Sequence, residues 1–244
     1  MKTLVIIPSR LSATRLPGKP LLKINGLSMI SHVYKKAAAA NIGEVYVAAE
    51  DQEIIDDVNK NGGQAILTNN RHKTGTDRVY EAIKKIGKSD VELVMNLQGD
   101  EPLMNVEDIR NLYNQMIKSK SEMGTLASEI QDESFFNKES VVKVLTKQSL
   151  SNSEFVQAIN FVRKTSELGK NIYHHLGIYC YKVDTLKNFV SLPQSQNEIQ
   201  NRLEQLRALD NNIKIRVSLA KESPLGVDTK EDFVAIKKIM EYKS

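Results

Sequence analysis

The first apolar segment of this chain stops abruptly. Leu4 to Ile7 is a short run of the kind that fills an interior strand, and it breaks at once into a loop carrying Arg10, Arg15 and Lys19. Pro17, Gly18 and Pro20 exclude a helix there and stiffen the turn, while helical spacing begins only from Ser28. Three cations therefore sit on a rigid loop leaving the carboxyl end of a strand, where open α/β sheets hold their ligands. A P-loop would need a glycine five residues before Gly18-Lys19 and a Ser or Thr after it; Ala13 and Pro20 stand there instead, and no GxGxxG occurs. Side-chain charge, helped by turn amides, is what remains to hold a nucleoside triphosphate. On charge alone the three residues would be a solvated basic loop; the strand before them and the two prolines beside Lys19 favour a ligand.

The rest of the amino-terminal half alternates. Residues 28–40 have helical spacing, closed by Asn41 to Gly43; Glu44 to Ala49 is a second strand; residues 52–63 are a helix ending at Gly62-Gly63; Gln64 to Thr68 is a third strand. Val79, Ala82, Ile83 and Ile86 mark a helix beginning near Thr76 to Asp77, so Gly75 and Thr76 lie at its amino end, either as a plain cap or as polar-ligand contacts. Glu50-Asp51 is read as acid at a helix start, and His32 as a helix-surface or core-edge residue. Such alternation predicts an α/β protein with a mostly parallel, Rossmann-like sheet and helices on both faces.

A second motif follows in VELVMNLQGDEPL. Val91 to Leu97 reads as a central strand, and it ends in Gln98-Gly99-Asp100. A carboxylate beside a glycine at such a strand end can reach a metal ion, and Mg²⁺ needs few protein oxygens because phosphates and water supply the rest. Asn105 and Glu107-Asp108 suffice to start the next helix, 106–119, which leaves Asp100 without a capping task. Further strands are expected at Met123 to Ile130, Val141 to Thr146, Asn171 to Tyr181 and Ile213 to Leu219, with helices over 183–192 and 197–211. His174 and His175 are adjacent on a strand and point to opposite faces, so they do not share an ion, and Cys180 reads as a small buried residue. Thr229 and Asp232 resemble a capping box opening the last helix.

Taken together, PSR…ATRLPGKPL, GTDR, QGDEP, HLGIY, LEQLR and GVDT resemble the sugar-acid cytidylyltransferases, and more narrowly the 3-deoxy-manno-octulosonate (Kdo) cytidylyltransferases. The likeness runs from residue 4 to about 237. It implies a nucleotidyltransferase domain over 1–244 with a smaller inserted lobe at about 130–210 for sugar binding and dimerisation. It implies that Pro8, Ser9, Arg10, Arg15, Lys19, Gly75, Thr76, Arg78 and Asp100 bind CTP, and that Asp100 and Asp228 hold Mg²⁺. Arg10, Lys19, Asp100 and Asp228 would carry the chemistry; Gln98, Arg163, His175, Tyr179, Glu204 and Gln205 would bind the sugar acid. A surface arginine is an equal alternative for Arg163, and an interface helix for Glu204 and Gln205. The chain departs from the family over 150–172, where Ala158 to Arg163 keeps the framework but the aromatic-Ser context and the Ile-Pro are missing and RKTSELGKN is short.

The chain offers no Ser-His-Asp or Cys-His arrangement, which suits a phosphoryl-group reaction run by positioning and charge. Its net charge of +4 over 244 residues is small and scattered, and aromatics are only 6%, so a nucleic-acid role finds little support. One cysteine forms no internal disulfide, no apolar stretch approaches the roughly 20 residues of a membrane helix, and the first strand follows no apolar leader, so a cytoplasmic protein is expected; the resemblance implies a homodimer acting on CTP and Kdo. The alternatives are a cytidylyltransferase for amino-Kdo or a sialate-type acid, and a non-catalytic nucleotide-binding module.

Overall fold

The computed structural model describes residues 1–12, 15–151, 154–165, 171–224 and 226–242. Ala13 and Thr14 of the first motif, and residues 166–170 of the short segment after Arg163, lie outside them.

The described residues divide into two compact units, one made of 2–109 with those of 224–242 and the other of those within 110–223. The first begins with β1 (Lys2–Ser9), whose side chains from Thr3 to Ile7 are all buried. A short hairpin, β2 (Lys23–Ile24) and β3 (Leu27–Ser28), leads into α1 (Met29–Ala39), capped by the Ser28 hydroxyl accepting from Ser31 N. Then come β4 (Glu44–Ala49), α2 (Gln52–Lys60), β5 (Ala65–Leu67), α3 (Gly75–Ile86), β6 (Val91–Asn96) and α4 (Val106–Ser119), within which the division between units falls. The order β5-β4-β1-β6 is parallel throughout, as the alternation predicts. Helix α1 packs on β1 and β4, α2 on β4 and β5, and α3 on all three.

The second unit carries β7 (Met123–Ser128), β8 (Lys143–Thr146), β9 (Val156–Val162), β10 (Ile172–Lys182), α5 (Val183–Ser191), α6 (Gln196–Asn201), α7 (Gln205–Asp210) and β11 (Ile215–Leu219). Its order is β10-β7-β11-β9-β8, with only β7 and β11 parallel, and β8 pairing also with β10. Parallel pairing thus describes the first unit, whereas the second is mixed.

The helix expected over 197–211 is two helices. Arg202 adopts φ 53°, and Leu203 N reaches back to Glu198 O at 3.2 Å, a Schellman-type stop. No glycine marks it, and the apolar spacing continues through it. Ile199, which shares helical spacing with Leu203 and Leu206, is 59% exposed.

The chain returns to the first unit for α8 (Lys230–Tyr242), opened by the expected capping box: Asp232 N donates to Thr229 Oγ1 at 3.2 Å and Thr229 N to Asp232 Oδ2 at 2.9 Å. Val227 and Ile236 join Ile24 and Met29 in one buried cluster, with Phe233 and Met240 against it.

Candidate active site

The loop after β1 is held from both sides. Leu11 N donates to Asp51 Oδ2 at 2.7 Å, and Gly18 N to Leu11 O at 3.1 Å. Gly18 itself takes φ 69°, which a glycine adopts without strain, and Lys19–Leu21 then forms a single 3₁₀ turn with Pro20 buried. The turn aims Lys19 inward. Its ammonium lies 2.7 Å from Asp100 Oδ2, 2.7 Å from Val227 O and 3.9 Å from Asp228 Oδ1. Arg15 lies 3.0 Å from the same Asp228 oxygen. Backbone seals the junction, since Val227 N donates to Asp100 O at 2.9 Å. Gly99 is needed for a close approach: a Cβ there would sit 3.2 Å from Pro8 O and 3.1 Å from Ile30 Cδ1.

These residues line a cleft of about 320 Å³ in the first unit, with Pro8, Ser9, Arg10, Arg15, Leu16, Lys19 and Pro20 on one side. His72 to Gly75, Arg78, Gln98 to Asp100 and Asp228 complete it. Sequence positions more than 200 residues apart therefore share one polar hollow at the carboxyl ends of β1 and β6.

Several details differ from expectation. Thr74, not Thr76, caps α3: Asp77 N donates to Thr74 Oγ1 at 3.2 Å and Thr74 N to Asp77 Oδ2 at 3.3 Å. Thr76 is buried in the first turn and off the cleft lining. Arg78 lines the cleft but is only 4% exposed, with its guanidinium paired to Glu50 and donating to Thr68 Oγ1 at 2.6 Å. Glu50 thus anchors Arg78, and Asp51 anchors the β1 loop; neither caps α2 through its side chain. His72 and Lys73 line the cleft without having been singled out. His72 pairs with Glu81; burial opposes ionisation of Glu81, but His72, Lys85 and the Asn69 amide hold its carboxyl at about 2.

The remaining candidates belong to the second unit. His175 Nε2 is 3.0 Å from Thr125 Oγ1, with the Phe161 ring edge-on at 5.0 Å between centroids and Tyr179 at 5.4 Å. Burial pushes the His175 pKa down to about 3. Tyr179 Oη is buried and makes no hydrogen bond among the described residues; burial, then Tyr181 and Glu204, raises its pKa well above the ordinary value. His174 faces other partners, with Nδ1 2.7 Å from Ser223 Oγ, as the opposite-face argument requires. Cys180 is fully buried, which pushes its thiol up to about 12. Glu204 precedes α7 and Gln205 opens it, so neither is mid-helix. Beside them Arg207, unforeseen, forms a buried two-pronged pair with Glu198 at 2.8 and 2.7 Å, stacks over Phe189, and lies 3.6 Å from Glu204. Arg163 donates to three backbone carbonyls, of Asn201, Glu139 and Arg202, at 2.8, 3.0 and 2.8 Å. It is a tie between segments as well as a candidate ligand.

A parallel α/β unit that gathers cations and aspartates at the carboxyl ends of the adjacent strands β1 and β6 belongs to the nucleotidyltransferase class of fold. A cytidylyltransferase family profile matches residues 4–215. The 3-deoxy-manno-octulosonate cytidylyltransferase of Nitrobacter winogradskyi is 41% identical, covering 98% of this chain and 94% of its own length. That of Rhodopseudomonas palustris is 42% identical, covering 98% of each. A solved CMP:2-keto-3-deoxy-manno-octonic acid synthetase complexed with CTP superposes with a TM-score of 0.89 at 34% identity over 100% of both chains. A UTP-bound UGPase from Acinetobacter baumannii shares the fold, with a TM-score of 0.72 at 12% identity over 100% of this chain and 95% of its own. The chain belongs to the Kdo cytidylyltransferase branch of the cytidylyltransferase family.

Proposed function

We propose that this protein transfers CMP from CTP to 3-deoxy-D-manno-octulosonate, giving CMP-Kdo and pyrophosphate for lipopolysaccharide synthesis. The observation that carries the reading is the Lys19 ammonium set between Asp100 and Asp228 in a cleft rimmed by Arg10 and Arg15. The anomeric hydroxyl attacks the α-phosphorus, and pyrophosphate departs. Arg10, Arg15 and Lys19 bind the triphosphate and offset the charge that grows on the leaving group. Pro8, Ser9, Gly75 and Arg78 shape the nucleotide pocket, with Arg78 acting through its fixed position and Thr76 only from behind the lining. Gln98, Arg163, His175, Tyr179, Glu204 and Gln205 orient the sugar acid.

The donor set fits a divalent ion: two carboxylates within 4 Å of one ammonium are the few hard oxygens that Mg²⁺ takes from protein when phosphates supply others. Asp100 and Asp228 would hold it, and a divalent ion such as Mg²⁺ bound there would supply charge to polarise the α-phosphate and ease deprotonation of the attacking hydroxyl. In the described structure both carboxylates are engaged by Lys19 and Arg15, so these two cations must turn to the triphosphate when the carboxylates are needed.

The reading extends to a single catalytic domain bearing an inserted lobe, a homodimer, and a cytoplasmic setting; among the described residues no helix is long and apolar enough to cross a membrane. The test is pyrophosphate release from CTP with Kdo, against UTP, ATP and GTP, and with amino-Kdo and sialate in place of Kdo. Turnover restricted to CTP and Kdo is the expected result. Preference for another sugar acid would move the specificity and trace it to the altered 150–172 stretch. Binding of CTP without turnover would make the protein a nucleotide-binding module.

A further inference from the structure

Thr125 sits fully buried in β7, opposite an irregularity in β10. Leu126 pairs with Leu176, but Thr125 pairs with Tyr179, so Gly177 and Ile178 bulge from the ladder. The Thr125 hydroxyl fills that bulge. Its oxygen lies 2.7 Å from Ile178 O, 3.2 Å from Leu176 O and 3.0 Å from His175 Nε2.

Counting protons settles the polarity. A threonine hydroxyl has one proton, and a carbonyl can only accept. An oxygen–oxygen separation of 2.7 Å requires that proton to lie on the line to Ile178 O. The hydroxyl then has only lone pairs to offer the ring, so Nε2 must bring the proton. Burial disfavours a second one, and the ring is neutral. The remaining nitrogen, Nδ1, is a bare acceptor with no hydrogen-bond partner among the described residues. Phe161 edge-on and Tyr179 alongside hold the ring plane, and a ring flip would put a carbon where Nε2 meets Thr125.

We infer that Thr125 is a positioning residue: it locks His175 as the Nε2–H tautomer so that Nδ1 accepts a hydrogen bond from a hydroxyl of the polyol substrate. This rests on the sugar-acid role proposed for His175. The tautomer makes His175 selective for a donor, and Tyr179 Oη, buried beside it with no hydrogen-bond partner among the described residues, is able to give or take the neighbouring hydrogen bond. A merely structural threonine would need only to cap the bulge carbonyls, and its effect would not depend on which ring nitrogen carries hydrogen.

Nitrogen-15 histidine labelling of the full chain reads this directly, with His175→Gln used to assign the ring signals. The expected wild-type spectrum at pH 7 shows a protonated Nε2 and an unprotonated Nδ1. Thr125→Val should release the tautomer and raise KM for the sugar acid about tenfold, the scale of one hydrogen bond, with KM for CTP within about twofold. Thr125→Ser, which restores the hydroxyl, should recover both. An Nδ1–H ring or an imidazolium in wild type overturns the inference, as does a Thr125→Val enzyme whose two KM values rise together or not at all. Should Thr125→Val fail to fold, the wild-type spectrum and the serine variant still decide. Wild-type inactivity toward CTP and Kdo removes the functional reading and this inference with it; an Nδ1–H ring with that activity intact removes the positioning role alone.

Discussion

The cleft of the first unit and the polar cluster of the second handle charge in opposite ways. In the cleft, Lys19, Arg15, Asp100 and Asp228 pair with one another while remaining within reach of solvent; the Asp100 and Asp228 side chains keep 31% and 40% of their exposure. Such pairs contribute little to stability and are exchanged easily for a ligand. In the second unit, His175, Tyr179, Gln205 and the Glu198–Arg207 pair are withdrawn from water. There His175 is held by Thr125 and Glu198 by Arg207, and loss of either partner leaves a buried polar group unpaired. One region is built to change partners, and the other to keep them.

Removing a cleft acid should therefore damage activity far more than folding. Asp100→Ala is expected to lower pyrophosphate release by about a thousandfold or more while the melting temperature moves by only a few degrees. An active variant would end the proposed role of Asp100. The second unit should behave the other way. Arg207→Met leaves Glu198 buried without its partner, and unfolding by urea should register a loss of about 3–5 kcal/mol. Burial alone would raise the Glu198 pKa, but Arg207 and Gln194 hold it low, so Glu198→Gln combined with Arg207→Met should cost less than Arg207→Met alone. Equal losses would show that the ion pair is not the source.

Acid separates the regions by a different lever. Burial lowers His175 to about 3, and burial with the Lys143 charge lowers His174 to about 4. Both lie below the ordinary value near 6.5, so the unfolded chain binds more protons between those limits. The stability from neutral histidine is complete above about pH 6.5 and is lost as pH falls, at roughly 1.4 kcal/mol per pH unit for each ring. Melting followed from pH 7 to pH 5 should show this slope, and His174→Gln should flatten it. A slope unchanged by that substitution would assign the acid sensitivity elsewhere. The smallest expected effect is at Arg163. Lysine cannot reproduce its planar fork to three carbonyls, so Arg163→Lys should lose about 1–2 kcal/mol in chemical unfolding as well as raise KM for the sugar acid. A change in KM with stability untouched would make it a ligand contact alone.

The same contrast explains what could be read from the sequence. Glu44–Ala49 and Val106–Ser119 were legible to the residue because their apolar spacing is local, and the Thr229–Asp232 cap is a signal spanning four residues. The cleft was legible because a rigid loop carries its cations on strand ends and glycine marks its close approach at Gly99. The roles of Thr125, Lys143 and Arg207 were not. Lys143 is fully buried and donates to Val141 O at 2.7 Å and Phe135 O at 3.1 Å, a use of lysine that no pattern of neighbours announces. The stop at Arg202 was hidden because Ile199, Leu203 and Leu206 keep helical spacing across it. Arg78, placed by motif against the nucleotide, turned out to be committed to Glu50 and Thr68, partners 28 and 10 residues away.

Lys19 draws on the carbonyl of Val227, 208 residues further along, and on the carboxylate that follows it. A growing polypeptide consequently emerges from the ribosome with its loop of cations complete and their far acid still unmade. Until Asp228 has been added, no nascent chain can bear the finished hollow, however well the earlier strands have paired. Birth order thus withholds the assembled centre until residue 228 has been made.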